Sequence, residues 1–193
     1  MVQALCWWWL YLKMQIKSTY YSDTSKRKVI RIWTDAAGAD RWLAAVVFAD
    51  GRWLWTRWKV TDKLWNQFEA RRDDQIAMQE LLAIPLAFET FKDIVSGSLC
   101  VVYVDNAGAM MGVIKGSCGA SDINAAIARI WMDAVECNIG MHLCRVESKA
   151  NLADGPTRDD WRYLQRLNAV FVPPRIPKWF EDVAEPMLPK IGT

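Results

Sequence analysis

Three β-type runs joined by very short connections constrain the fold of this chain more than any other feature. The first run is Val29 to Ala36, the second is Trp42 to Ala49 and the third is Arg52 to Val60. Asp50-Gly51, between the second and third runs, is a hairpin signal because these residue types accept the positive backbone angles of a tight turn. Connections this short join antiparallel neighbours. The sequence therefore predicts a three-stranded antiparallel meander.

The rest of the chain predicts helices alternating with strands. A helical pattern runs from about Gln75 to Ile94, and the wholly apolar run Leu99 to Val104 is typical of a buried, central, parallel strand. Further helices are predicted at 107–115, 121–138 and 153–167, and a last strand at 141–146. The predicted fold is α/β: a five-stranded mixed sheet, made of the antiparallel meander plus parallel strands, flanked by helices.

A chain of 193 residues makes one domain with appendages. We predict an N-terminal amphipathic helix and linker over residues 1–28, a core domain over 29–170, and a proline-rich tail over 171–193 that is extended over the surface or disordered. The start, MVQALCWWWLYLK, lacks a basic leading region and is too short to cross a bilayer, so we expect no membrane partner. Five cysteines without a CxxC pair predict reduced thiols and an intracellular location.

Four acidic residues stand in distinct local settings. Asp35 and Asp105 end apolar β-type runs, Glu80 lies on the long helical pattern, and Asp154 opens the last helical segment. Carboxylates beside apolar runs are costly unless they are compensated, and divalent cations prefer oxygen ligands. If the two aspartate strands pair in parallel, their carboxylates emerge side by side and Glu80 can reach the same edge. The set predicts a metal-dependent enzyme acting on phosphates.

Each of these acids also has an ordinary structural explanation. Asp35 could bind turn N–H groups, Asp105 and Asp154 could cap helices, and Glu80 could be a solvated helix residue. The prediction therefore depends on all four occurring in this order.

The segments that carry the acids resemble the ribonuclease H domain of reverse-transcribing elements, especially retrotransposon polyproteins. The matching segments are WTDAAG, ELLAI, YVDN, IKGSCGASDIN and VESKANLADGPTR, and together they span about residues 29–160. The N-terminal WWWL segment is similar to the connector that follows the polymerase part of such polyproteins. The resemblance implies a ribonuclease H-like fold and, as a partner, a reverse transcriptase polymerase domain.

The same resemblance implies an endonuclease that hydrolyses the RNA strand of RNA–DNA hybrids with two Mg²⁺ ions, or with Mn²⁺, leaving 5′-phosphate and 3′-hydroxyl ends. Asp35 would bridge both ions, Glu80 and Asp105 would hold the ion on the leaving-group side, and Asp154 would hold the ion that activates water. Cellular relatives carry a histidine in the loop before the last aspartate. Here the sole histidine, His142, falls in the preceding predicted strand.

Five residues near the predicted site are candidates for binding nucleic acid. Cationic side chains suit phosphates, and small polar side chains suit the 2′-hydroxyls that distinguish RNA from DNA. The net charge of +2 does not by itself indicate a polyanion partner, so an ordinary solvated role remains the alternative for each cation. The candidates are Asn106, Lys115, Ser148, Lys149 and Arg158.

Two other functions remain open at this point. One is a DNA nuclease or strand transferase of the same fold, and the other is a catalytically weak, retroelement-derived module that binds nucleic acid. A glutamate on a helix between the first two aspartates favours the hydrolase, because the integrase-like pattern places its glutamate on a late helix.

Overall fold

One mixed β-sheet organises the chain. The computed structural model describes residues 27–71 and 75–181. The strands lie in the order β5-β4-β1-β2-β3-β6. They are β1 (Val29–Ala37), β2 (Trp42–Ala49), β3 (Arg52–Lys59), β4 (Leu99–Val104), β5 (Gly140–Arg145) and β6 (Val170–Phe171). The first three form the predicted antiparallel meander, and β4 and β5 extend the sheet in parallel from β1.

Helices flank this sheet, as predicted for the α/β class. Within the described residues they are α1 (Asp62–Trp65), α2 (Ile76–Thr90), α3 (Lys92–Val95), α4 (Ala107–Lys115), α5 (Ser121–Glu136), α6 (Asp154–Thr157) and α7 (Arg162–Arg166). Two 3₁₀ turns cover Ser148–Ala150 and Lys178–Glu181. The predicted helix to Ile94 is divided at Phe91, whereas Pro85 lies inside α2 without ending it. None of these helices has both the length and the apolar character that a bilayer crossing requires.

The predicted strand number of five is wrong, because β6 adds a sixth strand. It pairs in parallel with Leu54 and Trp55 of β3, and the Val172 N–H continues the ladder by donating to Trp55 O at 2.8 Å. A two-residue strand is too short to show the alternation by which strands are recognised in a sequence. The sequence therefore predicts no strand at Val170-Phe171, and the predicted boundary between the core domain and the tail falls between these two residues.

Only part of the predicted tail is described, and it lies against the domain. Phe180 is buried with its ring centroid 5.7 Å from that of Trp58, and Arg175 forms an ion pair with Asp93 at 2.8 Å. The 3₁₀ turn and the buried ring differ from the extended run that the prolines predict. The predicted N-terminal amphipathic helix lies outside the described residues, except for Arg27 and Lys28 of its linker.

The two faces of the sheet are covered differently. On one face, alternate strand residues such as Ile32, Val47 and Val102 pack with Ile84 and Phe88 of the almost wholly buried α2. The other face carries Trp33, Trp53 and Trp55, which belong to one apolar cluster with Trp161 and Leu164 of the α6–α7 region. The segment that contains Asp154 is thus held on the face opposite α2, at the end of the sheet where β1 and β4 finish.

Candidate metal centre

Parallel pairing of β1 with β4 brings two of the predicted acids together. Trp33 is paired with Tyr103, so the residues two positions further on, Asp35 and Asp105, lie at neighbouring points of the same sheet edge. Asp35 is still within β1, and Asp105 follows directly after the last residue of β4. The carboxyl ends of parallel strands are where α/β folds commonly place ligands.

Helix α2 supplies the third acid. It packs across β1 and β2, and Glu80 near its start is 3% exposed. One ligand oxygen from each of Asp35, Glu80 and Asp105 lies within 4.8 Å of the others. The helix is tied to the turn after β1, since Gln79 Nε2 donates to Gly38 O at 3.1 Å. These three carboxylates form a group that could hold a metal ion, and we call it the acidic triad.

The electrostatics of the acidic triad are unfavourable without a cation. Burial raises the pKa of Asp35 to about 7, and the charges of Asp105 and Asp154 add to that rise, against the hydrogen bond from Thr157. Burial, followed by the charges of Asp35 and Asp105, raises the pKa of Glu80 to about 10. A bound divalent cation would lower both pKa values, because a nearby positive charge stabilises the ionised carboxylates.

A buried oxygen without a partner gives a second indication that a cation fits. Oε2 of Glu80 is inaccessible to solvent and accepts no hydrogen bond from any residue in the described ranges 27–71 and 75–181. An orphaned buried acceptor costs about 1–3 kcal/mol. Direct coordination would satisfy this oxygen, so the residues present fit a hard cation such as Mg²⁺ or Mn²⁺.

Asp154, the fourth predicted acid, is near the acidic triad but is not a member of it. Its Oδ1 forms an ion pair with Arg158 Nε at 2.8 Å, one turn along the chain. Its charge is close enough to Asp35 to raise the pKa of that carboxyl. The structure therefore brings three of the four predicted acids together, and the fourth lies beside them in an ion pair with Arg158.

Two residues that sequence reasoning missed contact Asp35 directly. The Thr157 hydroxyl donates to Asp35 Oδ2 at 2.6 Å, and Asn151 Nδ2 lies 3.3 Å from Oδ1 and 2.9 Å from Thr34 O. Both side chains are buried. They belong to the same SKANLADGPTR segment as Asp154, but roles in it were predicted only for the acid and for the candidate nucleic-acid contacts Ser148, Lys149 and Arg158.

An open cleft of about 460 Å³ adjoins the acidic triad. Three of the five predicted nucleic-acid-binding residues line it, namely Asn106, Ser148 and Arg158. Asn106 also caps α4, since its Oδ1 accepts from Ala109 N at 3.0 Å. The other two, Lys115 and Lys149, are exposed and do not line this cleft.

His142 lies within β5, as predicted, with its side chain exposed. It is not among the residues that line the cleft.

Comparison with known proteins adds no family to this description. No model of a known protein family matches the chain, and no curated protein matches it.

Proposed function

We propose that this protein is a metal-dependent ribonuclease H that hydrolyses the RNA strand of RNA–DNA hybrids. The observation that carries the proposal is the convergence of Asp35, Glu80 and Asp105, from two strands and a helix, to within 4.8 Å beside an open cleft. The mixed sheet, a meander extended in parallel from its first strand, is compatible with a ribonuclease H-like fold. Four of the five sequence segments that resemble that family contribute residues to this cleft, namely WTDAAG, ELLAI, YVDN and VESKANLADGPTR.

The acidic triad would hold a catalytic cation, and Asp154 is the candidate for a further ligand. Two bound Mg²⁺ or Mn²⁺ ions would supply an activated water and would stabilise the leaving oxygen. The protein contributes the placement of the three triad carboxylates and of Asp154 beside them. Asp154 could serve a second ion through its other oxygen, Oδ2, or after its Oδ1 leaves Arg158.

The residues around the cleft suit a hybrid of RNA and DNA. The Arg158 guanidinium is exposed and could neutralise a phosphate near the acidic triad. Ser148 and Asn106 present small polar groups at the cleft wall, where 2′-hydroxyls of the RNA strand would lie. Lys115 and Lys149 would contact the backbone further along the duplex. A polymerase domain of a reverse transcriptase would be the natural partner of such an activity.

A hydrolysis assay with an end-labelled RNA–DNA hybrid and Mg²⁺ tests the proposal. We expect Asp105→Asn to reduce cleavage more than about 100-fold, because losing a residue that merely supports a metal ligand already costs about 10–100-fold. Asp40→Asn is the matched control, since Asp40 is an exposed acid at the rim of the same cleft and outside the triad. It should keep cleavage within a few-fold. Equal activity in the wild type and Asp105→Asn would refute the proposal.

The substrate panel decides between the hydrolase and the remaining alternatives. Duplex DNA, single-stranded DNA and single-stranded RNA should be cut far more slowly than the hybrid. Preferential cutting or joining of duplex DNA would indicate a DNA nuclease or strand transferase instead. Binding of nucleic acid without any cleavage, at millimolar Mg²⁺ and Mn²⁺, would indicate a binding module.

A further inference from the structure

We propose that Thr157 and Asn151 are positioning residues that hold the Asp35 carboxylate in the orientation required for cation binding. The inference rests on the proposed function, because it takes Asp35 to be a cation ligand. It assigns a role to the 151–158 segment that does not depend on Asp154.

The two residues divide the oxygens of Asp35 between them. Thr157 donates to Oδ2 at 2.6 Å, while Asn151 donates to Oδ1 at 3.3 Å and to the backbone Thr34 O at 2.9 Å. Thr157 is 1% exposed and Asn151 is 5% exposed, so solvent does not compete for these bonds. A carboxylate oxygen accepts about two hydrogen bonds, and one donor on each leaves acceptor capacity free for a cation.

The donors themselves are fixed within their segment. Asn151 Oδ1 accepts from Ala153 N at 3.2 Å, which sets the direction of its Nδ2. The Thr157 hydroxyl also lies 2.8 Å from Asp154 O. A hydroxyl has only one hydrogen, and once Asp35 is ionised the bond to its charged oxygen is the stronger of the two. Thr157 therefore directs its hydrogen at Asp35.

Contacts with the meander anchor this segment. The Arg57 guanidinium of β3 lies between the rings of Trp42 and Trp161, with its carbon 4.2 Å and 4.6 Å from the ring centroids. Its Nη1 donates to Pro156 O at 3.3 Å and to Asp159 Oδ1 at 2.6 Å. Thr157 is thus flanked by two anchored positions, and its hydroxyl is in place before any cation arrives. Such preorganisation is what gives supporting residues their effect on metal affinity.

Calorimetric titration of the full chain with Mn²⁺ tests the inference. Thr157→Val keeps the branched shape and removes the hydroxyl, and it should raise the Kd for Mn²⁺ by about 10–100-fold. Thr157→Ser keeps the hydroxyl and should bind within about 3-fold of the wild type. Equal affinity of the wild type and Thr157→Val, or equal loss in Thr157→Val and Thr157→Ser, would overturn the inference.

Thr90→Val is the matched control for losing a buried hydroxyl. Thr90 is buried far along α2, where its hydroxyl accepts from Arg175 N at 3.1 Å. This variant should lower the melting temperature without changing the Kd for Mn²⁺. If Thr157→Val does not fold, as judged by circular dichroism, Asn151→Ala replaces it, and an unchanged Kd in that variant overturns the inference.

Hybrid cleavage measured on the same samples separates this inference from the proposed function. Weakened Mn²⁺ binding in Thr157→Val, with no cleavage even by the wild type, would support the positioning role and refute the nuclease. Cleavage by the wild type, with unchanged Mn²⁺ binding in Thr157→Val, would support the nuclease and refute the positioning role. A wild type that binds no Mn²⁺ at millimolar concentration would overturn both.

Discussion

Trp33 and Tyr103 are paired residues of adjacent parallel strands, and their rings stack with centroids 4.9 Å apart. Two residues further along each strand are Asp35 and Asp105. A shift of one residue in this pairing would turn one carboxylate to the opposite face of the sheet, because side chains alternate along a strand. The stacked pair therefore helps to fix the register on which the acidic triad depends.

Raising the pH should destabilise the cation-free protein. Burial raises the pKa of Asp35 from 3.8 to about 7 and that of Glu80 from 4.5 to about 10. A carboxyl with a raised pKa in the folded state contributes its full stability below the ordinary pKa and loses it as the pH rises through the folded value. The melting temperature in a chelating buffer should fall between about pH 4 and pH 10.

Glu80→Gln is the control for this pH dependence, because glutamine keeps the shape and cannot ionise. The fall in melting temperature should be smaller in this variant. Burial also raises the pKa of Asp133 to about 6, with the same sign, but that contribution is common to both proteins. Millimolar Mg²⁺ should remove most of the difference between them at high pH. A wild-type melting temperature that rises from about pH 6 to pH 9 in chelator would contradict the account.

Gly155→Ala should damage the segment that supports Asp35. A Cβ at this position would lie 2.5 Å from the backbone oxygen of Asp160, so the turn that joins α6 to the next residues would have to open. Overpacking of this kind costs about 1–3 kcal/mol, which chemical denaturation can measure. Gly119→Ala is the control, because a Cβ there meets no atom within 4 Å. Equal unfolding free energies for the two variants would show that the close approach is unimportant.

Much of the sheet could be predicted because its determinants are local. Alternation and the Asp50-Gly51 turn predicted the meander, and these two residues have φ of 52° and 72° as the turn requires. The apolar run before Asp105 predicted the parallel strand β4, and its burial is the physical reason: one face is fully buried and the other is partly buried. Asp35, Glu80 and Asp105 could be identified, together with Asp154, because the four acids occur in this order on two strands and two helical segments.

The contacts of the 151–159 segment could not be predicted, because they depend on its docking against a distant strand. Thr157 and Asp35 are separated by 122 positions, and a threonine in a turn carries no local signal of a carboxylate partner. The same limit applies to the partners of Arg57, which lie about 100 positions further along the chain. Its guanidinium stacks between two tryptophans and pairs with Asp159.

Arg57→Ala should weaken the anchoring of that segment. The side chain provides two cation–π contacts and an ion pair that is partly shielded from solvent, so we expect a loss of about 2 kcal/mol in unfolding free energy. Mn²⁺ affinity should fall as well, because Thr157 lies between the two anchored positions. Arg52→Ala, at the exposed first position of the same strand, should change neither quantity. Identical behaviour of the two variants would rule out an anchoring role.

Arg158→Ala should weaken hybrid binding in the absence of cleavage. Its guanidinium lies beside the acidic triad, and loss of one phosphate contact lowers the slope of log affinity against log salt by about 1. Lys115→Ala removes a cation that does not line the cleft, and it should change the slope less. Fluorescence anisotropy with a labelled hybrid in chelator measures both. A larger change of the slope in Lys115→Ala than in Arg158→Ala would indicate that the duplex lies along α4 and not over the cleft.

Anomalous diffraction from crystals soaked in Mn²⁺ shows directly whether the acidic triad binds a metal ion. We expect an anomalous peak bounded by Asp35, Glu80 and Asp105, with Oε2 of Glu80 among its ligands. Absence of the peak from Asp105→Asn crystals treated in the same way would tie it to the triad. A saturating soak that leaves no peak between the three carboxylates, or that places Mn²⁺ only elsewhere, would refute the metal site.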